Sequence, residues 1–134
     1  MATTLPTTHE MSYTVTDQKA INFMGPEARV LSTPSLVNWM ELTSRENARV
    51  LLSPGEDTVG VSVHIKHLAA TPVGMKVRVV SKLVKLEGRI YTFEVEAFDE
   101  VDRIGEATHE RASVLVEKFV TRLASKKDKA RSAR

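Results

Sequence analysis

The chain has 134 residues, the size of one domain, and can bury about two thirds of its unfolded surface. It contains no cysteine, which excludes disulfides, thiolate nucleophiles and thiolate metal sites together, and no apolar run approaches the length of a bilayer crossing. The formal net charge of +2 is unevenly placed: residues 126–134, KKDKARSAR, carry five cations and one anion, leaving residues 1–125 at −2.

The N-terminal MATTLPTTHE lacks the basic-then-apolar order of a secretory signal, so a cytoplasmic location is expected, with no membrane partner. Met11, Tyr13 and Val15 alternate with polar residues and predict a first strand. Asp17 to Arg29 contains Gly25-Pro26 and no sustained period, and reads as a connection that covers something. Ser32 to Leu52 predicts the long helix on which the rest is organised. Ser32 or Thr33 can cap its start, Pro34 suits the first turn, and Ser53-Pro54-Gly55 ends it. Leu36, Val37, Trp39 and Met40 make its first turns apolar on nearly every side, as in a helix wrapped by other structure. Glu41 stands among them, where a carboxylate needs a partner, a shifted pKa, or escape along a polar stripe with Asn38 and Arg45.

After Gly60 the period changes to two. Val61, Val63 and Ile65 are placed on one face with His67, and His64 on the other, in water. Thr71-Pro72-Val73-Gly74 punctuates the chain before a strand over Lys76 to Leu86, with Val77, Val79, Ser81 and Leu83 on one side. Glu87-Gly88-Arg89 predicts a tight hairpin into Ile90 to Phe98, and Ile104 to Val116 is the last strand. A short helix is expected over Glu117 to Ser125, followed by a disordered basic tail over 126–134. Residues 1–125 then form a single α+β domain. One strand, a helix and four further strands on short turns predict a curled antiparallel sheet wrapped around one long central helix, the hotdog fold.

Four residues could carry chemistry. Thr33 offers a hydroxyl, though capping alone explains it; Glu41 is a carboxylate in an apolar setting. Gly60 bares its backbone, and His67 is the side chain best suited to move protons near neutral pH. His9, His64, His67 and His109 have no tight ligand spacing, so no metal is expected, and no phosphate-loop or dinucleotide glycine pattern is present. Aromatics are scarce and no basic stripe interleaves with them, which argues against a nucleic-acid partner.

The run HLAATPVG (His67 to Gly74), the run GEATHERA (Gly105 to Ala112) and LVEKF (Leu115 to Phe119), with a threonine eight residues before a glutamate in Thr33 and Glu41, resemble the fluoroacetyl-CoA thioesterase branch of the hotdog thioesterases. The resemblance implies catalytic roles for Thr33, Glu41 and His67, and substrate contact for Gly60 and Arg111, for which a structural salt bridge to Glu41 or Glu110 is the simpler alternative. It also implies an acyl-CoA substrate whose coenzyme A is no separate cofactor, and a homodimer, with further packing to a tetramer open. Lys66, Lys76 or the tail would meet the coenzyme A phosphates. One stretch departs from the family: FMGPEARVLST has Phe23 as its only aromatic where the fluoroacetyl enzyme carries an aromatic-rich lid, so hydrolysis is expected without selectivity for fluorine. The alternatives are a hotdog dehydratase acting on 3-hydroxyacyl thioesters and a non-catalytic acyl-CoA-binding module.

Overall fold

Alternating apolar residues and Gly-containing turns build five strands, and a computed structural model of the chain describes them within residues 4–133. They are β1 (Thr7–Thr14), β2 (Glu56–His67), β3 (Lys76–Glu87), β4 (Ile90–Phe98) and β5 (Arg103–Leu115), with helices α1 (Thr33–Ala48) and α2 (Val116–Ser132). All neighbours pair antiparallel in the order β1-β3-β4-β5-β2. β1 and β2 are therefore the two edges, and α1 lies in the connection between them. Gly88, at φ +58°, turns β3 into β4, a conformation that costs a residue without a Cβ little. Val77, Val79, Leu83, Tyr91, Phe93, Val95 and Ala97 are buried with Leu36, Trp39 and Met40 of α1 in one core. This is the predicted hotdog arrangement, with α2 added at the end.

Ser32 caps α1 by accepting a hydrogen bond from the Ser35 amide at 3.2 Å, so Thr33 is the first helical residue and Pro34 follows it. The helix ends at Ala48 and tightens into a 3-10 turn over Arg49–Leu51, short of the expected Leu52. Nor is it wrapped on every side. Asn38, Leu42 and Val50 are exposed, and the sheet covers the opposite face. That covered face becomes polar along its length, and every polar group finds a partner. Thr43 Oγ1 donates to the Trp39 carbonyl at 2.7 Å, Ser44 and Ser81 share a hydroxyl bond of 2.9 Å, and Asn47 Nδ2 donates to the Thr7 and Ser81 carbonyls at 3.0 Å each.

β2 corrects the expected alternation. Its register against β5 shifts between Gly60 and Ser62, so Val61 is a bulge residue, 56% exposed, and does not share the face of Val63 and Ile65. The extra residue has a topological effect. Gly60 pairs with Arg111, Val63 with His109 and His67 with Gly105. Gly60 and His67 are an odd number of residues apart and would face opposite ways on a regular strand; the bulge turns both to the inner face.

The C-terminal segment also differs from expectation. α2 continues to Ser132 through the residues read as a disordered tail, and its side chains are exposed apart from a partly covered Phe119. Lys, Arg, Ala and Leu dominate this stretch, and these intrinsically strong helix formers need little packing to adopt a helix. Arg131 and Asp128, one turn apart, pair across its surface. Residues 1–3, from the expected loose start, and Arg134, from the expected tail, lie outside the described residues. Among the described residues, no helix is long and apolar enough to cross a membrane.

Candidate active site

His67 is the last residue of β2, opposite Gly105 of β5. A Cβ at Gly105 would sit 3.0 Å from Leu36 Cδ2 and 3.3 Å from Met40 Cε, so the missing side chain lets the first turns of α1 settle on the strand ends. That approach carries Thr33 to His67, with Thr33 Oγ1 2.8 Å from His67 Nδ1. The other ring nitrogen, Nε2, is buried and has no hydrogen-bond partner among the described residues. Burial holds the His67 pKa below its ordinary value of 6.5, which keeps the imidazole neutral and basic in character near pH 7.

A second cluster forms farther along the same helix and strand. An added Cβ on Gly60 would lie 2.6 Å from Glu41 Oε2, so the carboxylate occupies the space that the glycine leaves open. Arg111, paired with Gly60 across the ladder, places Nη1 3.5 Å from the same carboxylate oxygen. Glu41 therefore resolves its apolar setting through Arg111, not through Arg45, which pairs instead with Asp57 at 2.6 Å. That hydrogen bond from Arg45 is the chief cause of an Asp57 pKa lowered to about 2. The Arg111 guanidinium is buried and held on its other sides by Thr58: Nε donates to Thr58 Oγ1 at 2.7 Å and Nη2 to the Thr58 carbonyl at 2.8 Å. Its Nη1 also lies 3.2 Å from His109 Nε2. Burial lowers the Arg111 pKa, and the Glu41 carboxylate opposes that shift.

The five predicted residues thus fall into two groups. Thr33 and His67 meet, and Glu41, Gly60 and Arg111 meet. Glu41 lies eight residues along α1 from Thr33, about 12 Å at the helical rise. Gly60 and His67 stand roughly 20 Å apart along β2 at the strand rise. Among the described residues, no hydrogen bond or ion pair joins Glu41 to Thr33 or His67. Lys66 and Lys76 belong to neither group: Lys66 is on the outer face opposite Glu106, and Lys76 is exposed at the start of β3. Thr58 and His109 are members that the sequence reading left out. His109 carried a usable signal, because it precedes Arg111 by two residues on a strand and so shares its face. Among the described residues, no group of three or more His, Cys, Asp or Glu side chains is arranged to hold a metal.

Comparison with known proteins bears on what these groups do. Residues 15–117 match the family model described as fluoroacetyl-CoA-specific thioesterase. The chain is 35% identical over 126 residues to the fluoroacetyl-CoA thioesterase of Streptantibioticus cattleyicolor, covering 89% of each chain. A crystal structure of the fluoroacetyl-CoA thioesterase FlK superposes with a TM-score of 0.84 at 32% identity, covering 94% of this chain and 98% of that one. A thioesterase-superfamily protein of Thermus thermophilus superposes with a TM-score of 0.89 at 30% identity, covering 96% of each. A mutant FlK in complex with fluoroacetate and CoA aligns over 87% of this chain and 99% of its own, with a TM-score of 0.79 at 33% identity.

Proposed function

The chain belongs to the fluoroacetyl-CoA-specific thioesterase family and is a thioester hydrolase, and from that premise we propose that it cleaves a short acyl-CoA in a site that two copies of the chain build together. The observation that carries the composite site is the division of the five residues between two separated positions on one helix and one edge strand. Among the described residues the outer edge of β2 has no strand beside it, and a twelve-residue edge leaves a long row of backbone donors and acceptors for pairing. Antiparallel pairing of two such edges about His64, with the Val61 bulge counted, sets Gly60 opposite the partner subunit's His67 on the inner face. Residues so placed have Cα atoms about 5 Å apart. Glu41, Gly60 and Arg111 then face the partner subunit's Thr33 and His67, and the homodimer holds two equivalent sites.

In this site the Thr33 hydroxyl accepts from His67 Nδ1–H, which leaves the lone pair on Nε2 free. Nε2 takes a proton from water as the water oxygen bonds to the thioester carbonyl carbon. The carbonyl oxygen gains negative charge and accepts from the Gly60 amide; one aimed donor of this kind lowers the barrier by about 3 kcal/mol. Glu41 faces the imidazolium and stabilises it, while Arg111 keeps the carboxylate in place. Collapse breaks the carbon–sulfur bond, the imidazolium returns its proton to sulfur, and the acid and the coenzyme A thiol leave.

The substrate is a short acyl group without selectivity for fluorine. Phe23, the one aromatic of the connection before α1, is 76% exposed. A panel of acyl-CoAs with a thiol-detecting reagent tests the reading: thiol release supports it, and hydration of an enoyl-CoA without thiol release would make the protein a dehydratase instead.

Two further outcomes are expected. Thr33→Ser keeps the hydroxyl beside His67 and should stay near wild type. Thr33→Ala should lower kcat by about ten- to a hundredfold through misplacement of the ring. Thermal melts of the Ala variant should barely move, because Ser32 carries the cap. A large loss of stability would return Thr33 to a structural role. Activity should fall on the acid side as His67 takes up a proton; burial draws its pKa down and the facing carboxylate of Glu41 draws it up, so Glu41→Gln should move that limb of kcat/KM to lower pH. An acid limb that Glu41→Gln leaves in place would count against the facing carboxylate.

A further inference from the structure

His109 is fully buried on the inner face of β5, between Val63 of β2 and Phe93 of β4. An imidazole in such a place requires partners on both nitrogens, and here they determine the proton's position. Nδ1 lies 2.8 Å from the Ser62 carbonyl, which can only accept, so Nδ1 carries the hydrogen. Nε2 then presents a lone pair, and its neighbour at 3.2 Å is Arg111 Nη1, which can only donate. The ring is thereby a neutral bridge with one assigned tautomer. One end grips the backbone at the C-terminal side of the Val61 bulge, and the other grips the guanidinium that faces Glu41.

We propose that His109 is a positioning residue for the acyl-CoA site: it fixes the bulge that turns Gly60 inward and, through Arg111, the carboxylate of Glu41 above that glycine. The inference rests on the reading of Glu41, Gly60 and Arg111 as part of the hydrolytic site. Both dependent features converge on a small volume. Glu41 Oε2 fills the space beside Gly60, His109 Cε1 lies 3.6 Å from where the same Cβ would be, and Arg111 is the residue opposite Gly60 in the ladder. Thr58 holds Nε and Nη2 of Arg111 and His109 holds Nη1, so the planar guanidinium is gripped on each nitrogen and its Nη1 corner is kept turned to the carboxylate. Burial, together with the Arg111 charge, disfavours a second proton on the ring. The hydrogen bond to the Ser62 carbonyl, and then the charges of Glu41 and Glu110, oppose that effect but do not reverse it.

The two ends of the bridge can be cut separately. In His109→Gln the amide reaches the position of Nε2 and can still accept from Arg111, whereas in His109→Asn it reaches only the position of Nδ1 and keeps the bond to Ser62. With the wild type hydrolysing acyl-CoA, His109→Asn is expected to lower kcat by about ten- to a hundredfold with KM nearly unchanged. His109→Gln, which keeps the bond to Arg111 and gives up the one to Ser62, is expected to lie between that variant and wild type. Equal activity of both variants with wild type, per folded molecule, would overturn the proposal and leave His109 a packing residue. Nitrogen-detected NMR of the wild type provides a readout independent of turnover and of whether the Asn variant folds. A proton on Nδ1 near neutral pH supports the bridge, and a proton on Nε2 sinks it. Failure of the wild type to release thiol from any acyl-CoA would strike the hydrolase reading alone, since the tautomer is read without substrate.

Discussion

Replacing His67 with Ala is expected to lower acyl-CoA hydrolysis by about 10²- to 10⁴-fold, the range lost with a general base. The fold should survive, because His67 lies at the end of an edge strand and its side chain, among the described residues, bonds only to a helix-start hydroxyl. Glu41→Gln should be comparably impaired, since it removes the charge facing the imidazolium while keeping the side chain's shape. The informative step is to unfold and refold the two inactive variants together. If each site takes Glu41 from one copy and His67 from its partner, random pairing makes about half of the dimers mixed, each with one intact site, and returns about a quarter of wild-type activity. If the residues of a site come from one chain, mixing returns nothing. Absence of recovery from a refolded dimer would therefore end the composite site, and a monomer in sedimentation that retained full activity would end it equally.

Gly60→Ala should cost far more in activity than in stability. The new methyl would lie 2.6 Å from Glu41 Oε2, a distance at which one group must move. The carboxylate is the one to yield, being the end of a flexible side chain that is 38% exposed. Swinging it into solvent leaves the buried Arg111 guanidinium without its carboxylate, which offsets the gain of about 0.4–1 kcal/mol that Ala has over Gly by restricting the unfolded chain where φ is compatible. The variant should melt at or somewhat below the wild-type temperature and lose about 10²- to 10³-fold in kcat, as when a preorganised polar group is displaced from a reacting site. Combining it with Glu41→Gln identifies the cause. If displacement of the carboxylate is the damage, the double variant should be scarcely worse than Glu41→Gln alone. Full activity in Gly60→Ala would show that the site needs neither the bare Cα of Gly60 nor the carboxylate seated against it.

The strands that follow α1 were legible because their inner faces are uniformly apolar: Val77 to Leu83 and Tyr91 to Ala97 alternate as read and are buried as read. The bulge in β2 was not legible. Val61, Val63 and Ile65 mimic an unbroken period of two, and only the pairing with β5 shows that one of them is an extra residue. The site residues were legible as a set but not in their grouping. Sequence spacing states that Thr33 and Glu41 share a helix. Which of them meets His67 depends on how that helix crosses the sheet, and Gly105 decides how closely it approaches. His109 was hidden by its neighbours: in GEATHERA it sits between a threonine and a glutamate, and its buried environment comes from β2 and β4. The helical tail was misread for a different reason. Its polarity resembles a solvated tail, while its residue types favour a helix that requires no partner.

Trp39 is the only tryptophan of the chain; it is buried in α1 and stacked on Tyr13 of β1 with ring centroids 4.8 Å apart. The indole therefore acts as an intrinsic optical reporter of whether the helix is seated on the far edge of the sheet. Because neither ring belongs to the reacting groups, its fluorescence can follow unfolding in variants that no longer turn over, and catalytic damage can be told from structural damage in a single cuvette.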